Sequence, residues 1–205
     1  MSRHHDSRAA YDLIGRGALA ARVSRLLDAR RSVLLFGPPG VGKSAIVTAV
    51  SRPGLVVADP FEHVSSAAAA RLRRVIERGG VVLAAARSRH AADLGAVRRL
   101  LWRMEAVRVL PLGARTVRTL VRGALTAGGV PPPAVPQAWL SDAVRVADGI
   151  PGRAVALASA AAKRWRAGGG LLPPRLALVV AWQDGLADVG RVFKGSGVSS
   201  REGSP

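Results

Sequence analysis

The stretch Gly37-Pro38-Pro39-Gly40-Val41-Gly42-Lys43-Ser44 lies between an apolar run, Ser32-Val33-Leu34-Leu35-Phe36, and a helical pattern opening with Ala45, Ile46 and Val47. Its spacing is G-x-x-x-x-G-K-[ST], the phosphate-binding P-loop. Glycines let the backbone wrap round an anion so that several N–H groups converge on it. The N-terminus of the following helix adds a partial positive charge. Lys43 would bring a full charge to the β- and γ-phosphates, and the Ser44 hydroxyl is placed to ligate Mg²⁺. Gly37 to Ala45 therefore predict a binding site for ATP with Mg²⁺. An ordinary Gly/Pro turn would not need a strand, a Lys-Ser pair and a helix in this order.

Outward from the loop, short apolar runs alternate with helical patterns, which predicts an α/β fold. Strands are expected at 32–36, 55–58, 81–86 and 106–110, with helices at 42–50, 66–78 and 93–102 between them. An opening segment over 9–30 takes helical spacing from Leu19 onward. After Pro111 the pattern is only helical, at 114–127, 137–147, 151–166 and 173–188. The reading is a P-loop core over 1–112, with a short, about four-stranded parallel sheet flanked by helices. A small helical lid over 113–190 and a disordered Gly/Ser-rich tail over 191–205 complete it.

A P-loop also wants an acidic residue at the end of a neighbouring strand to hold the metal's water shell. Asp59, after Leu55-Val56-Val57-Ala58, is the candidate, and Pro60 follows it where active ATPases place a glutamate. Glu62 lies three residues on from Asp59 and would orient the attacking water if the loop curls back; otherwise it is a solvated or capping carboxylate.

Thirty-one Lys+Arg against 13 Asp+Glu leave a formal net charge of +18 on 205 residues, and cysteine is absent. Lack of cysteine excludes a disulfide scaffold, an iron–sulfur site, a thiolate zinc site and a cysteine nucleophile. Met1 to Asp6 lacks the apolar run of a signal peptide. The apolar stretch 176–182 falls far short of the ~20 residues that span a bilayer. A cytoplasmic protein without membrane contact is expected. Of the basic residues 28 are Arg and three are Lys, a skew that GC-rich coding explains; the excess of base over acid it does not explain. That excess favours a polyanionic partner, most simply DNA or RNA. Arg71, Arg74, Arg78 and Arg115, Arg118, Arg122 form two helical stripes suited to phosphate contact. Trp102, Trp139, Trp165 and Trp182 are scattered and expected to be mostly packed, so binding should be backbone-directed and steeply salt-dependent.

The loop style of Gly37 to Ser44 resembles that of the AAA+ ATPases. Leu13-Ile14-Gly15-Arg16 looks like the hydrophobic-Gly-Arg box of origin-recognition-like and STAND-type members. Ala147-Asp148-Gly149-Ile150-Pro151-Gly152-Arg153-Ala154 is similar to their Gly-x-Pro lid motif, and Val109-Leu110-Pro111-Leu112 to their core-to-lid junction. The resemblance covers roughly residues 13–165. It implies that Ile14 and Gly15 lie near the adenine, with Ile150 and Pro151 closing from the lid. Arg153 would be a second-sensor arginine reaching the γ-phosphate, and Arg87 or Ser88 would hold the first-sensor position. One of Arg98, Arg99 and Arg103 would be a finger aimed at a neighbour's nucleotide. Only about 16 residues separate Lys43 from Asp59, so a strand and helix usual in the family are missing. The stretch after residue 168 leaves too little room for a winged-helix domain, so any DNA contact is expected to come from the core, the lid or another subunit.

The leading expectation is an ATP-binding, ATP-hydrolysing regulator that assembles on DNA in transposition, recombination or replication, as a homo-oligomer or with a partner protein. The alternative is a STAND-like nucleotide-gated protein–protein switch with little turnover. A small-molecule P-loop kinase is disfavoured by the helical C-terminal part and the lack of an acceptor motif.

Overall fold

Val33 and Leu35 point to one side of their strand and Leu34 to the other, and all three are fully buried. A strand apolar on both faces needs cover on both, the condition for a parallel sheet between helical layers. The computed structural model, which describes residues 13–88 and 90–195, meets it with four parallel strands: β1 (Ser32–Phe36), β2 (Val56–Ala58), β3 (Val82–Ala86) and β4 (Met104–Arg108). Their order is β2-β3-β1-β4. In register, Leu34 stands between Ala84 of β3 and Ala106 of β4. Alternation carries through β3, where Leu83 and Ala85 join Val33 and Leu35, while Val82, Ala84 and Ala86 join Leu34.

One face is covered by α1 (Gly17–Asp28) and α2 (Lys43–Val50), through Val23, Leu27, Ile46 and Val47. The other is covered by α3 (Ser66–Glu77) and a 3₁₀ segment, Ala91–Arg103, through Ala69, Leu72, Leu94, Val97 and Leu100. Ser65 caps α3, its hydroxyl oxygen accepting from the Ala68 N–H at 3.3 Å. Beyond β4 follow α4 (Ala114–Ala127), α5 (Gln137–Ala147), α6 (Pro151–Arg166) and α7 (Pro174–Gly195). These pack round a separate core that includes Val117, Leu120, Leu140, Ala143, Leu157, Ala161 and Ala177. No helix of the described residues is long and apolar enough to cross a membrane.

The architecture is the expected four-stranded core and helical lid, with local differences. β4 begins and ends two residues earlier than its apolar run, because it lies at the sheet edge and pairing with β1, not hydropathy, sets its span; Val107 is buried while Ala106 and Arg108 face out. The segment expected as a helix at 93–102 is 3₁₀ and kinked at Gly95 (φ 48°, ψ −122°). Its buried residues, Leu94, Val97 and Leu100, recur every third position, the period at which 3₁₀ side chains align. α7 runs on to Gly195, so 191–195 are helical instead of opening a tail. The expected tail from 196, and residues 9–12 of the opening segment, lie outside the described residues.

Candidate nucleotide site

β1 delivers the loop to the C-terminal edge of the sheet, and α2 begins at Lys43 with Gly42 as its left-handed N-cap (φ 101°). Gly40 is left-handed as well (φ 73°). A Cβ there would stand 3.1 Å from Ile150 Cγ2 and 3.6 Å from Gly152 Cα. The lid therefore rests directly on the loop. The Gly152 N–H donates to the Gly40 carbonyl at 2.9 Å, and the Leu112 N–H to the Gly149 carbonyl at 2.7 Å. A Cβ on Gly152 would meet Gly40 Cα at 3.0 Å, so the two backbones approach only because neither carries a side chain.

Lys43 Nζ donates to the carbonyls of Gly37 (2.8 Å) and Pro38 (3.0 Å), which holds the ammonium across the mouth of the loop. Burial pushes its pKa below the usual lysine value; the charges of Glu62 and Asp59 oppose that shift, and Arg87 adds to it. Lys43 thus feels the charges of three groups, from the ends of β2 and β3 and the turn after β2. The turn Phe61–His63 explains how Glu62 gets there. Phe61 is fully buried in the cluster of Leu34, Ala58 and Ala86, which anchors the turn that carries Glu62. Glu62 Oε1 lies 3.5 Å from Arg87 Nε, and Oε2 is buried without a hydrogen-bond partner among the described residues. A buried oxygen with a free lone pair suits a group that must accept a proton or hold a water. Asp59 is exposed at the end of β2, which β3 separates from β1; the acid expected on a neighbouring strand thus stands one strand further out.

Between loop and lid lies a cavity of about 340 Å³ lined by Ile14, Lys43, Ser44, Ala45 and Pro151, all expected from sequence, and by Arg16, Leu120 and Val155, which were not. Ile150 is not at its surface; 5% exposed, it packs beneath the loop with Val41. Gly15 turns from the cavity toward the lid, where a Cβ would meet Thr116 Cγ2 at 2.6 Å. Arg16 is a residue of the cavity that sequence reasoning left without a role. It is 6% exposed, and Nη2 donates to the carbonyls of Val41 and Leu110, both at 2.7 Å. One guanidinium therefore ties the loop to the core–lid junction. Burial pushes its pKa down, yet an arginine stays charged. Its buried Nε has no partner among the described residues. The only advance signal is its place beside Gly15 in the hydrophobic-Gly-Arg box.

The remaining candidates do not gather at the cavity. Arg153 sits in the first turn of α6, with Nη1 3.8 Å from Asp148 Oδ2. Ser88 accepts from the His90 N–H at 3.1 Å. Arg98 and Arg99 line a separate cavity with Arg73, between α3 and the 3₁₀ segment, and Arg103 lies 4.0 Å from Glu77. Arg71, Arg74, Arg78, Arg115 and Arg122 are exposed and Arg118 is half-buried. Trp139 is tied by its indole N–H to the Leu172 carbonyl at 2.7 Å, and Trp165 packs on the lid core. Packing fails for the other two: Trp182 is 59% exposed and Trp102 93%, because each leaves its element on the face opposite the core.

No protein-family profile and no curated protein matches this sequence. Solved structures do match in fold. A point variant of RuvB from Thermotoga maritima superposes with a TM-score of 0.58 at 15% identity, over 83% of this chain and 70% of that one. A second, named as the Thermotoga maritima RuvB Holliday junction branch migration motor, gives 0.54 at 13% identity, over 82% and 68%. The chain has the P-loop NTPase fold seen in RuvB, with a four-stranded parallel sheet flanked by helices.

Proposed function

We propose that this chain is a compact AAA+-type protein that binds ATP with Mg²⁺ between core and lid and assembles on DNA. The observation that carries the nucleotide reading is the direct seat of the lid on the P-loop, Gly152 N–H to Gly40 carbonyl, round a cavity that Lys43, Ser44 and Pro151 line. The donor set fits the ligand: a half-buried ammonium, a hydroxyl at the start of a helix, an exposed carboxylate at Asp59 and a buried guanidinium with one unpartnered nitrogen. Lys43 would exchange its two loop carbonyls for phosphate oxygens. Ser44 and Asp59 would hold Mg²⁺, whose chemistry is to neutralise phosphate charge. Glu62 Oε2 would accept the proton of the attacking water, and Arg87, paired with Oε1, would steady the carboxylate. Arg153 would act as second sensor once it leaves Asp148, and Arg98, Arg99 or Arg103 as a finger toward a neighbouring copy.

RuvB is named as a Holliday junction motor. That likeness in fold, together with net charge +18, supports the DNA reading and a role in recombination, transposition or replication. The pairing of Arg87 with Glu62 also favours the second reading, a nucleotide-gated switch, because a carboxylate held by a cation is a weaker base. Sizing the protein by light scattering with and without ATP and duplex DNA separates the two. Growth with both ligands, lost in Lys43→Ala, is expected; a particle size indifferent to DNA selects the switch.

A further inference from the structure

At the N-terminal edge of the sheet, the end away from the P-loop, a cavity of about 420 Å³ opens between the ends of α1, α3 and the 3₁₀ segment. Trp102 and the guanidinium-bearing residues Arg30, Arg31 and Arg103 line it, with Glu105 as the acidic one. Trp102 is 93% exposed, a rare state for a side chain whose burial drives folding. The other large exposed apolar residues of the described chain, such as Val57, Leu110 and Trp182, lie elsewhere. The indole therefore shares its cavity wall with three cations and with the partly buried Ile76 and Met104, and with no other large exposed apolar side chain. Protein interfaces also favour Trp and Arg; what favours a polyanionic strand here is the excess of cations over acids on the cavity wall, three Arg against Glu105.

Arg30 adds a backbone argument. α1 ends in a Schellman turn, with Arg30 N–H to Leu27 carbonyl at 3.1 Å and Arg31 N–H to Leu26 carbonyl at 3.0 Å, and Arg30 takes the left-handed position (φ 59°). At the same cavity α3 ends in the same turn, but Gly79 fills that position (φ 76°). A left-handed residue with a Cβ costs about 1 kcal/mol that glycine would avoid. At α1 that cost keeps a guanidinium on the cavity wall. Arg31 has Glu105 at 3.4 Å and Arg103 only a distant Glu77 at 4.0 Å, so the cations outnumber the acids that hold them.

We propose that this cavity binds one unpaired nucleotide of a nucleic-acid strand, the base stacked on Trp102 and the adjoining phosphates met by Arg30 and Arg103. A base inside a duplex has both faces occupied by its neighbours and none to offer the indole. The proposal rests on the DNA reading above only for the class of partner, and narrows it to an unpaired segment. It is distinct from the arginine stripes, which suit duplex backbone.

The test uses the full chain with its P-loop saturated by ADP, and follows tryptophan fluorescence and the anisotropy of labelled dT12, with a 12-base-pair duplex and dTMP in parallel. Stacking on an aromatic side chain predicts dT12 binding weakened about 5- to 150-fold by Trp102→Ala, with the fluorescence quench lost and duplex binding unchanged. Arg30→Gly removes the charge where the backbone prefers glycine, so it should fold at least as well as the parent. It should still weaken dT12 several-fold and lower the salt slope by about 0.7. Unchanged dT12 affinity in both variants overturns the site. So does self-association, measured by sedimentation, that Trp102→Ala abolishes while dT12 binding persists. Binding of dTMP as tight as dT12 overturns the strand assignment in favour of a free nucleotide. Because the duplex is measured separately, its failure to bind would count against the stripes and leave the cavity's result readable.

Discussion

Glu62 turns on one neighbour, Phe61. With that ring fully buried, the turn after β2 is anchored, and the carboxylate lies beside Arg87 with its charge acting on Lys43. Replacing it with glutamine keeps the shape and removes the base. Glu62→Gln should lower the rate of phosphate release about 100-fold or more and leave nucleotide affinity unchanged; hydrolysis that survives intact would place the water-positioning group elsewhere. Lys43 gives a pH signature. Burial lowers its pKa in the free protein, and a phosphate beside it would raise the pKa again. Binding then takes up a proton between those two values. ATP affinity should therefore fall as pH rises through the lowered lysine pKa, starting below the ordinary 10.5. Calorimetry across that range should show the loss, and Lys43→Ala should bind weakly with no such slope.

At the level of elements, a backbone contact seats the lid, beside the packing of Ile150 under the loop. Gly152 opens α6 with its N–H on Gly40, and a Cβ there would stand 3.0 Å from Gly40 Cα and 3.1 Å from its carbonyl oxygen. Neither atom can yield without moving the loop. Gly152→Ala should lift the lid, weaken ATP about 10-fold and cost about 1–3 kcal/mol in urea unfolding. Gly113→Ala, where a Cβ meets open space, is the control for binding and should leave ATP affinity unchanged. Arg16 works on the same joint from below. Its two carbonyl partners, Val41 and Leu110, belong to the loop and to the strand-to-lid connection, so loop position and lid position are coupled through one buried cation.

On the scale of the whole molecule, charge is concentrated in 71–122, which holds 13 Arg against three acids. Several of these are committed within the chain, Arg73 and Arg103 to Glu77 and Arg87 to Glu62. Arg71, Arg74 and Arg78 are exposed on one side of α3 and its end. Duplex binding should weaken steeply with salt. Changing these three to Gln should reduce the slope of log K against log salt by about 0.9 for each phosphate no longer neutralised, read by anisotropy at several ionic strengths. A slope equal to the parent's would remove this face from the DNA surface.

How much was legible divides by the distance along the chain over which the cause acts. The P-loop, the alternation of strands and helices, the four-strand count and the helical character after Pro111 were readable because each is set by residues within a few positions of one another. Val33, Leu34 and Leu35 announce a two-faced strand by themselves, and Gly42-Lys43-Ser44 a phosphate loop. Local spacing failed where tertiary pairing chose the outcome, as in the β4 span set by β1 and the 3₁₀ form of 91–103. The site shows the same division. Its loop residues were determined by the sequence, but the tie from Arg16 to Leu110, the pairing of Glu62 with Arg87, and the exposure of Trp102 were decided by which surfaces pack together. These contacts join residues brought close by the fold of the sheet and lid, and burial, hydrogen-bond geometry and charge coupling exist only once those elements are assembled.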